Sequence, residues 1–473
     1  MGYICGEDRD QMVMFPEVLD DYIARENPVR FVAAFVESLD LKRLGFRRAE
    51  PEQRGRNAYH PGMLLSLYLY GYLNRIRSSR RLERESGRNV ELMWLMGKLT
   101  PDHKTIADFR KDNLEAIKRV CREFMLLCKQ MDLFGGELVA VDGSKFRAAS
   151  SKERSFNREK LERARKRVDR DIEEYMRELE EADRQEADVR QVSAEELKEK
   201  IEALKRQQQK YDRIEEQLNE SEDGQVSLTD PDSRLMKSRQ GTHAGYNVQA
   251  AVDSKHKLIV AHDVTNARSD RGQLTNISMQ AKEVLGVESL EVVADMGYYD
   301  CRDVNQCQQA SITAYVQKPS LSKKRGLFTK EDFNYDSQRD VYVCPAGVEL
   351  IYTTHGKQRG REMRYYYNVQ GCGSCSMKSQ CTKAGYRRIK RLEDERVMEV
   401  MAERVRGHPE KLALRKNLAE HPFGTIKRVM DQGYFLMRTN RKVGTELSLT
   451  ALAYNMRRVI NIAGVHKMIE ALG

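Results

Sequence analysis

Glu137-Leu138-Val139-Ala140-Val141-Asp142-Gly143-Ser144-Lys145 is a short apolar run that delivers a carboxylate. Glycines at Gly135, Gly136 and Gly143 bound it, so it reads as a strand in the middle of a sheet. An aspartate at the end of a buried strand is unfavourable unless its charge has a partner, and a metal ion is the strongest partner available. Leu290-Glu291-Val292-Val293-Ala294-Asp295-Met296-Gly297-Tyr298 repeats the pattern far downstream. Two such strands suggest two carboxylates brought to one point. The best third acid is Glu420, in Ala419-Glu420-His421-Pro422-Phe423-Gly424-Thr425-Ile426-Lys427-Arg428. Taken singly, each acid reads better as a solvated residue at a strand or helix end. Their order and flanks together point to a site.

The stretches VAVDGSKF, VVADMGYYD and AEHPFGTIKR resemble those around the acidic triad of the DDE transposases of bacterial insertion sequences. Lys427, seven places after Glu420, is similar to that family's signature on the helix carrying the third acid. Leu412 and Ala413 stand where many relatives carry a tyrosine, while Arg415 and Lys416 keep the basic character. The resemblance implies an α/β fold with an RNase H-like catalytic core. It also implies Mg²⁺-dependent phosphoryl transfer on DNA, with two ions held by Asp142, Asp295 and Glu420. Lys427 and Arg428 would then lie against a phosphate. The implied partners are double-stranded DNA, as inverted-repeat ends and as target, and a second copy of the chain in a synaptic complex. A base flipped at a hairpin end would need a stacking surface, and Tyr298 or Tyr299 is expected to supply it.

Composition sets wider bounds. A chain of 473 residues holds two or three cores. Hydrophobic residues make up 40%, and the mean hydropathy of −0.69 describes a highly charged surface. No stretch approaches the roughly 20 apolar residues of a membrane span. The first residues lack a signal peptide's apolar core, so a cytoplasmic, nucleoid-associated protein is expected. The net charge of +10, from 82 basic and 72 acidic residues, permits a polyanionic partner without requiring one. Nine cysteines, in a chain expected in the cytosol, argue for metal binding or core packing over disulfides.

Residues 1–133 are expected to form an all-helical, DNA-end-binding domain. Apolar residues recur at helical spacing in Phe31–Val36 and Met63–Tyr70, followed by a crowd of arginines: Arg75, Arg77, Arg80, Arg81, Arg84 and Arg88. With the turn at Pro101, short basic helices suit a helix-turn-helix-like reader, with Arg80, Arg81 and Arg84 at the DNA. A plain helical bundle with solvated arginines fits the pattern equally. Residues 151–239 read as a charged helical-hairpin insertion. One apolar seam runs through Leu161, Ala164, Val168, Ile172, Tyr175, Leu179 and Ala182, a second through Leu197, Ile201, Leu204, Tyr211, Ile214 and Leu218, and Ser193 with Glu196 gives a capping-box start.

The catalytic domain is expected from segments 134–150, 240–320 and 395–473. Residues 321–394 form a Cys-rich insertion. Cys344, Cys372, Cys375 and Cys381 suit one structural Zn²⁺, which would help a segment of little apolar content to fold; reduced structural thiols are the alternative. Cys121, Cys128, Cys301 and Cys307 read as core residues. The C-terminal Thr445–Arg458 reads as an amphipathic helix packed on the sheet. Two other function classes remain: a catalytically silent, transposase-derived DNA-binding protein, and an RNase H-fold nuclease.

Overall fold

A computed structural model describes residues 18–50, 57–183, 191–221, 223–238, 241–319, 326–358 and 360–473. The chain opens with helices α1 (Pro28–Glu37), α2 (Pro61–Leu73), α3 (Ser79–Ser86), α4 (Val90–Leu95), α5 (His103–Asp112) and α6 (Leu114–Gln130). Their starts are written locally. Pro28 and Pro61 occupy first-turn positions, and the side chains of Asn27, Asn89 and Asp102 accept from otherwise unpaired backbone N–H groups.

Strand β1 (Leu138–Arg147) follows, then β2 (Ser155–Asn157), the helices α7 (Arg158–Asp183) and α8 (Gln191–Glu220), and β3 (Gln225–Ser227). Next come β4 (Arg234–Ser238), β5 (Gly241–Asp253), β6 (Ile259–Thr265), α9 (Leu274–Leu285), β7 (Leu290–Ala294), α10 (Cys301–Gln309) and β8 (Ile312–Val316). The main sheet has the order β4-β5-β1-β7-β8, with β6 also paired to β5. β5 runs antiparallel to β1, while β1, β7 and β8 are parallel. The result is a mixed sheet with β1 at its centre, as its two-sided apolar sequence requires.

Alternation along β1 sends Val139 and Val141 to one face, into a core with Leu274, Ile277 and Val304 of α9 and α10. Leu138 and Ala140 go to the other face, against Leu418 and Ala419 of helix α14. That helix is reached through a second sheet: β9 (Asn334–Asp336), β10 (Val341–Val343), β11 (Glu349–Gln358), β12 (Arg361–Tyr367), two short helices, α11 (Val369–Gly373) and α12 (Lys378–Cys381), and β13 (Arg388–Leu392). Then come α13 (Glu395–Gly407), α14 (Pro409–Gly424), α15 (Asn440–Ala463) and α16 (Val465–Glu470).

Three features differ from the sequence expectation. The N-terminal helices do not form a core of their own: Phe31, Phe35, Tyr68 and Phe124 share one buried cluster with Phe146 and Tyr246 of the sheet and with Leu447, Leu452 and Met456 of α15. Helix α15 is accordingly buried on nearly every side, whereas one-sided packing on the sheet was expected. Its polar positions can be buried because they pair internally. Glu446 is 0% exposed; it faces Arg77 at 3.4 Å and accepts from the backbone N–H of Leu436 and Met437. The Cys-rich insertion, third, has a small aromatic core of Phe333, Tyr342, Leu350, Tyr366 and Ile389, hidden in the sequence because tyrosines supply much of it.

The hairpin follows its two seams closely. Leu161, Val168, Tyr211, Ile214 and Leu218 are buried between α7 and α8, and β2 and β3 clasp its base. Ser193 lies within α8, and its side chain falls outside the described residues, as do residues 184–190. Among the described residues no helix is long and apolar enough to cross a membrane.

Candidate active site

The parallel register of β1 and β7 brings two of the expected acids together. Val141 pairs with Ala294, so the next residue on each strand, Asp142 and Asp295, stand side by side at the strand ends. Neighbouring strands lie about 4.8 Å apart, and in-register parallel residues point to the same face. That face is the one covered by α14. Each carboxylate is oriented by one backbone N–H: Gly143 N–H to Asp142 Oδ1 at 2.9 Å, and Gly297 N–H to Asp295 Oδ1 at 2.8 Å. Burial, reinforced by the charge of Asp295, pushes the Asp142 carboxyl from its usual 3.8 to about 6.

Helix α14 closes the site with a local distortion. Pro422 lacks an N–H to bond back into the helix, and just beyond it residues Thr425–Val429 form a π-helical turn. Met430 N–H reaches back to Thr425 O at 2.9 Å to end it. The turn places Lys427 against β1. Its Nζ donates to Ser144 Oγ and to Lys145 O, both at 2.7 Å, and lies over the Phe146 ring at 4.6 Å. Burial lowers the Lys427 ammonium from 10.5 to about 8, with the charge of Asp142 pulling the other way. Arg415, on the same helix, acts on Asp142 and opposes its upward shift.

Glu420 stands differently. Ala419 and Phe423 point inward, and Glu420, about 100° further round a 3.6-residue helix, is exposed. Among the described residues no three His, Cys, Asp or Glu side chains form a group that could hold a metal ion. The strand register joins Asp142 with Asp295, and Glu420 lies on the helix that covers their face.

Comparison with known proteins reaches the same part of the molecule. A transposase domain (DUF772) model matches residues 17–112, and a transposase DDE domain model matches residues 343–460, a span that includes Glu420 and Lys427. The chain belongs to the DDE-type transposases. No curated protein matches it. A solved structure titled as the synaptic complex of piggyBac transposase with hairpin DNA aligns at 10% identity over 94% of this chain and 79% of that one, with a TM-score of 0.34.

The remaining expected residues of the transposase are scattered. Arg80, Arg81 and Arg84 project from α3 into solvent, with Leu82 and Ser86 turned inward. Arg77, from the same basic run, is instead buried; it donates to Tyr434 O at 2.8 Å and Asp431 O at 3.2 Å and lies over the Tyr434 ring. Arg428 is exposed beside the π-helical turn. Tyr298 is 0% exposed, and its hydroxyl donates to Gln249, so it has no free face for a base to stack on. The tyrosine follows the Asp295 turn into the core, a burial that sequence spacing does not reveal.

In the insertion, Cys344, Cys372 and Cys381 flank the aromatic core. Burial raises the Cys381 thiol, Arg387 opposes the rise, and the thiols of Cys372, Cys344 and Cys375 add to it. The four cysteines therefore share one neighbourhood, although no three meet the geometry of a metal group. Cys121, Cys128, Cys301 and Cys307 are buried free thiols, as expected of core residues.

One residue near the acids was missed altogether. Asp270 sits in Ser269-Asp270-Arg271-Gly272, which reads as an ordinary turn. The signal was Gly143: a glycine directly after a buried acid marks a close approach by something else.

Proposed function

We propose that this transposase cuts and joins DNA at the inverted-repeat ends of a bacterial insertion sequence by phosphoryl transfer at Asp142 and Asp295, with Glu420 as the third acid. The observation that carries the reading is the pair of half-buried, in-register carboxylates with Lys427 against the same strand. The strand order β4-β5-β1-β7-β8, with α14 across the sheet, supports an RNase H-like core.

The carboxylates suit Mg²⁺ by their chemistry. They are hard oxygen donors, and their mutual repulsion, which burial sharpens, is what a divalent cation relieves. Asp142, Asp295 and Glu420 would hold it, Glu420 on the strength of the family resemblance. Bound there, two such ions supply Lewis-acid activation of a hydroxyl and stabilisation of the leaving oxygen.

The chain's own groups do the rest. The Gly143 and Gly297 N–H groups fix one oxygen of each aspartate and so direct the other. Lys427 remains largely protonated at neutral pH, with its charge beside Asp142, where a scissile phosphate would be drawn in. Arg415 adds a second positive charge from the same helix. The exposed arginines of α3 offer phosphate contacts away from the cut, and the four insertion cysteines would hold one structural Zn²⁺.

The competing reading is a catalytically silent DNA-binding protein. Strand cleavage decides between the two. Purified protein, Mg²⁺ and a labelled duplex carrying the DNA that flanks its own gene should yield a cut at the inverted repeat with a free 3′-hydroxyl. Binding without any cut would favour the silent reading.

A further inference from the structure

The main sheet has a second polar cluster, on the face opposite α14 and directly behind Asp142. Asp270 Oδ1 accepts from Asn247 Nδ2 at 2.7 Å, Gln249 Nε2 at 3.0 Å and Lys145 Nζ at 3.2 Å. All three donors sit on the strands that carry or flank the first acid: Lys145 on β1, Asn247 and Gln249 on β5. Gln249 in turn accepts the hydroxyl of the buried Tyr298, the last residue of the 3₁₀ turn that Asp295 caps. One chain of bonds therefore runs from Asp270 through Gln249 and Tyr298 to the turn of the second acid.

Packing ties the same carboxylate to the first acid. A methyl group built at Gly143 would lie 2.4 Å from Asp270 Oδ1 and 2.6 Å from Gln249 Nε2. No side chain can stand there while Asp270 keeps its place, so the glycine after Asp142 is what lets Asp270 press against the strand. At Gly297, a methyl group would lie 2.9 Å from Asp295 Oδ1 and 3.6 Å from Asp270 Oδ2. Asp270 thus touches the backbone region next to both acids, from the side away from α14.

We propose that Asp270 is a positioning residue of the active site: it locks the Asp142 strand to the Asp295 turn through Gln249 and Tyr298, and neutralises Lys145 beneath them. The proposal deepens the reading of the site as a phosphoryl-transfer centre, where misplacing a reacting group by about 1 Å can lower the rate about 100-fold. Asp270 itself touches no reacting atom. Its effect reaches the chemistry only through the placement of Asp142 and Asp295.

The test uses the full chain and two readouts. Asp270→Ala should lower the rate of end cleavage at least tenfold while leaving the Kd for the end duplex within threefold of wild type. In the DNA-free protein it should speed amide exchange across residues 295–299, with no change in β12. Tyr298→Phe, which removes only the hydroxyl link, should accelerate exchange in the same segment and lower cleavage by a smaller factor; it carries the test if Asp270→Ala fails to fold. Asp270→Asn, whose amide oxygen can still accept from Asn247 and Gln249, should recover at least threefold of the rate lost in Asp270→Ala. Cleavage within twofold of wild type in Asp270→Ala overturns the proposal. Unchanged exchange at 295–299 in both Asp270→Ala and Tyr298→Phe overturns it as well. Asp142→Ala, run in parallel, separates the two readings: if wild type and Asp142→Ala both fail to cut, the function falls, and the exchange data still decide on Asp270.

Discussion

Asp142→Asn should leave the protein more stable and unable to cut DNA. Burial and the neighbouring Asp295 hold the Asp142 carboxyl at about 6, against a usual 3.8. Each pH unit of such a difference is worth about 1.4 kcal/mol, so the ionised form burdens the fold by at most about 3 kcal/mol. The sign follows from the direction. A folded-state value above the unfolded one means that the folded protein binds more protons between the two. Stability is therefore undiminished below about pH 3.8, declines as pH rises towards 6, and carries the whole penalty above that. Asparagine keeps the oxygen that accepts from Gly143 and removes the charge facing Asp295. Urea melts in chelator should show the variant ahead of wild type by up to about 3 kcal/mol at pH 7.5, with the advantage shrinking towards nothing near pH 4. Equal midpoints at pH 7.5, or an advantage that grows on acidification, would refute the claim that the two carboxylates repel each other in a partly buried site.

Other outcomes follow from the same geometry. Arg77→Ala should destabilise the fold by about 3–5 kcal/mol, because it strands the buried Glu446 carboxylate, and a Glu446→Gln second change should return much of the loss in urea melts. Replacing Arg80, Arg81 and Arg84 by glutamine should weaken end binding and flatten the log Kd against log salt plot by about 0.9 per lost phosphate contact; an unchanged slope would remove α3 from the DNA interface. Metal analysis should find about one zinc per chain, lost in Cys375→Ser, as a four-thiolate site requires; a zinc-free, fully stable preparation would make the cysteines plain core neighbours.

The acid-bearing strands were legible because burial on both faces leaves a continuous apolar run, and the same run-then-aspartate-then-glycine pattern occurs twice. The hairpin was legible for a similar reason, since Leu161, Val168, Ile214 and Leu218 mark a seam in an otherwise charged stretch. Long-range partnership was not. Nothing local tells that Arg77 is buried against Glu446 while Arg80 and Arg81 beside it are exposed, or that Tyr298 turns into the core. The shared core of the N-terminal helices and α15 escaped for the same reason: helical periodicity tells that a face is buried without telling against what. Glu420 illustrates a further limit. Its spacing from Lys427 suggests a regular helix, and nothing in that spacing shows the π-helical turn over Thr425–Val429 at which Lys427 meets β1.

The most direct test of the account compares end cleavage in Mg²⁺ by wild type, Asp142→Ala, Asp295→Ala and Glu420→Ala, with end binding measured alongside. Removing a ligand from a two-ion site abolishes the positioning of both ions, so each variant should lose cleavage by a factor on the order of 1,000 while still binding the ends. Cleavage at an undiminished rate by Asp142→Ala would contradict the account, and would leave the paired aspartates as a structural feature of a protein that binds DNA without cutting it.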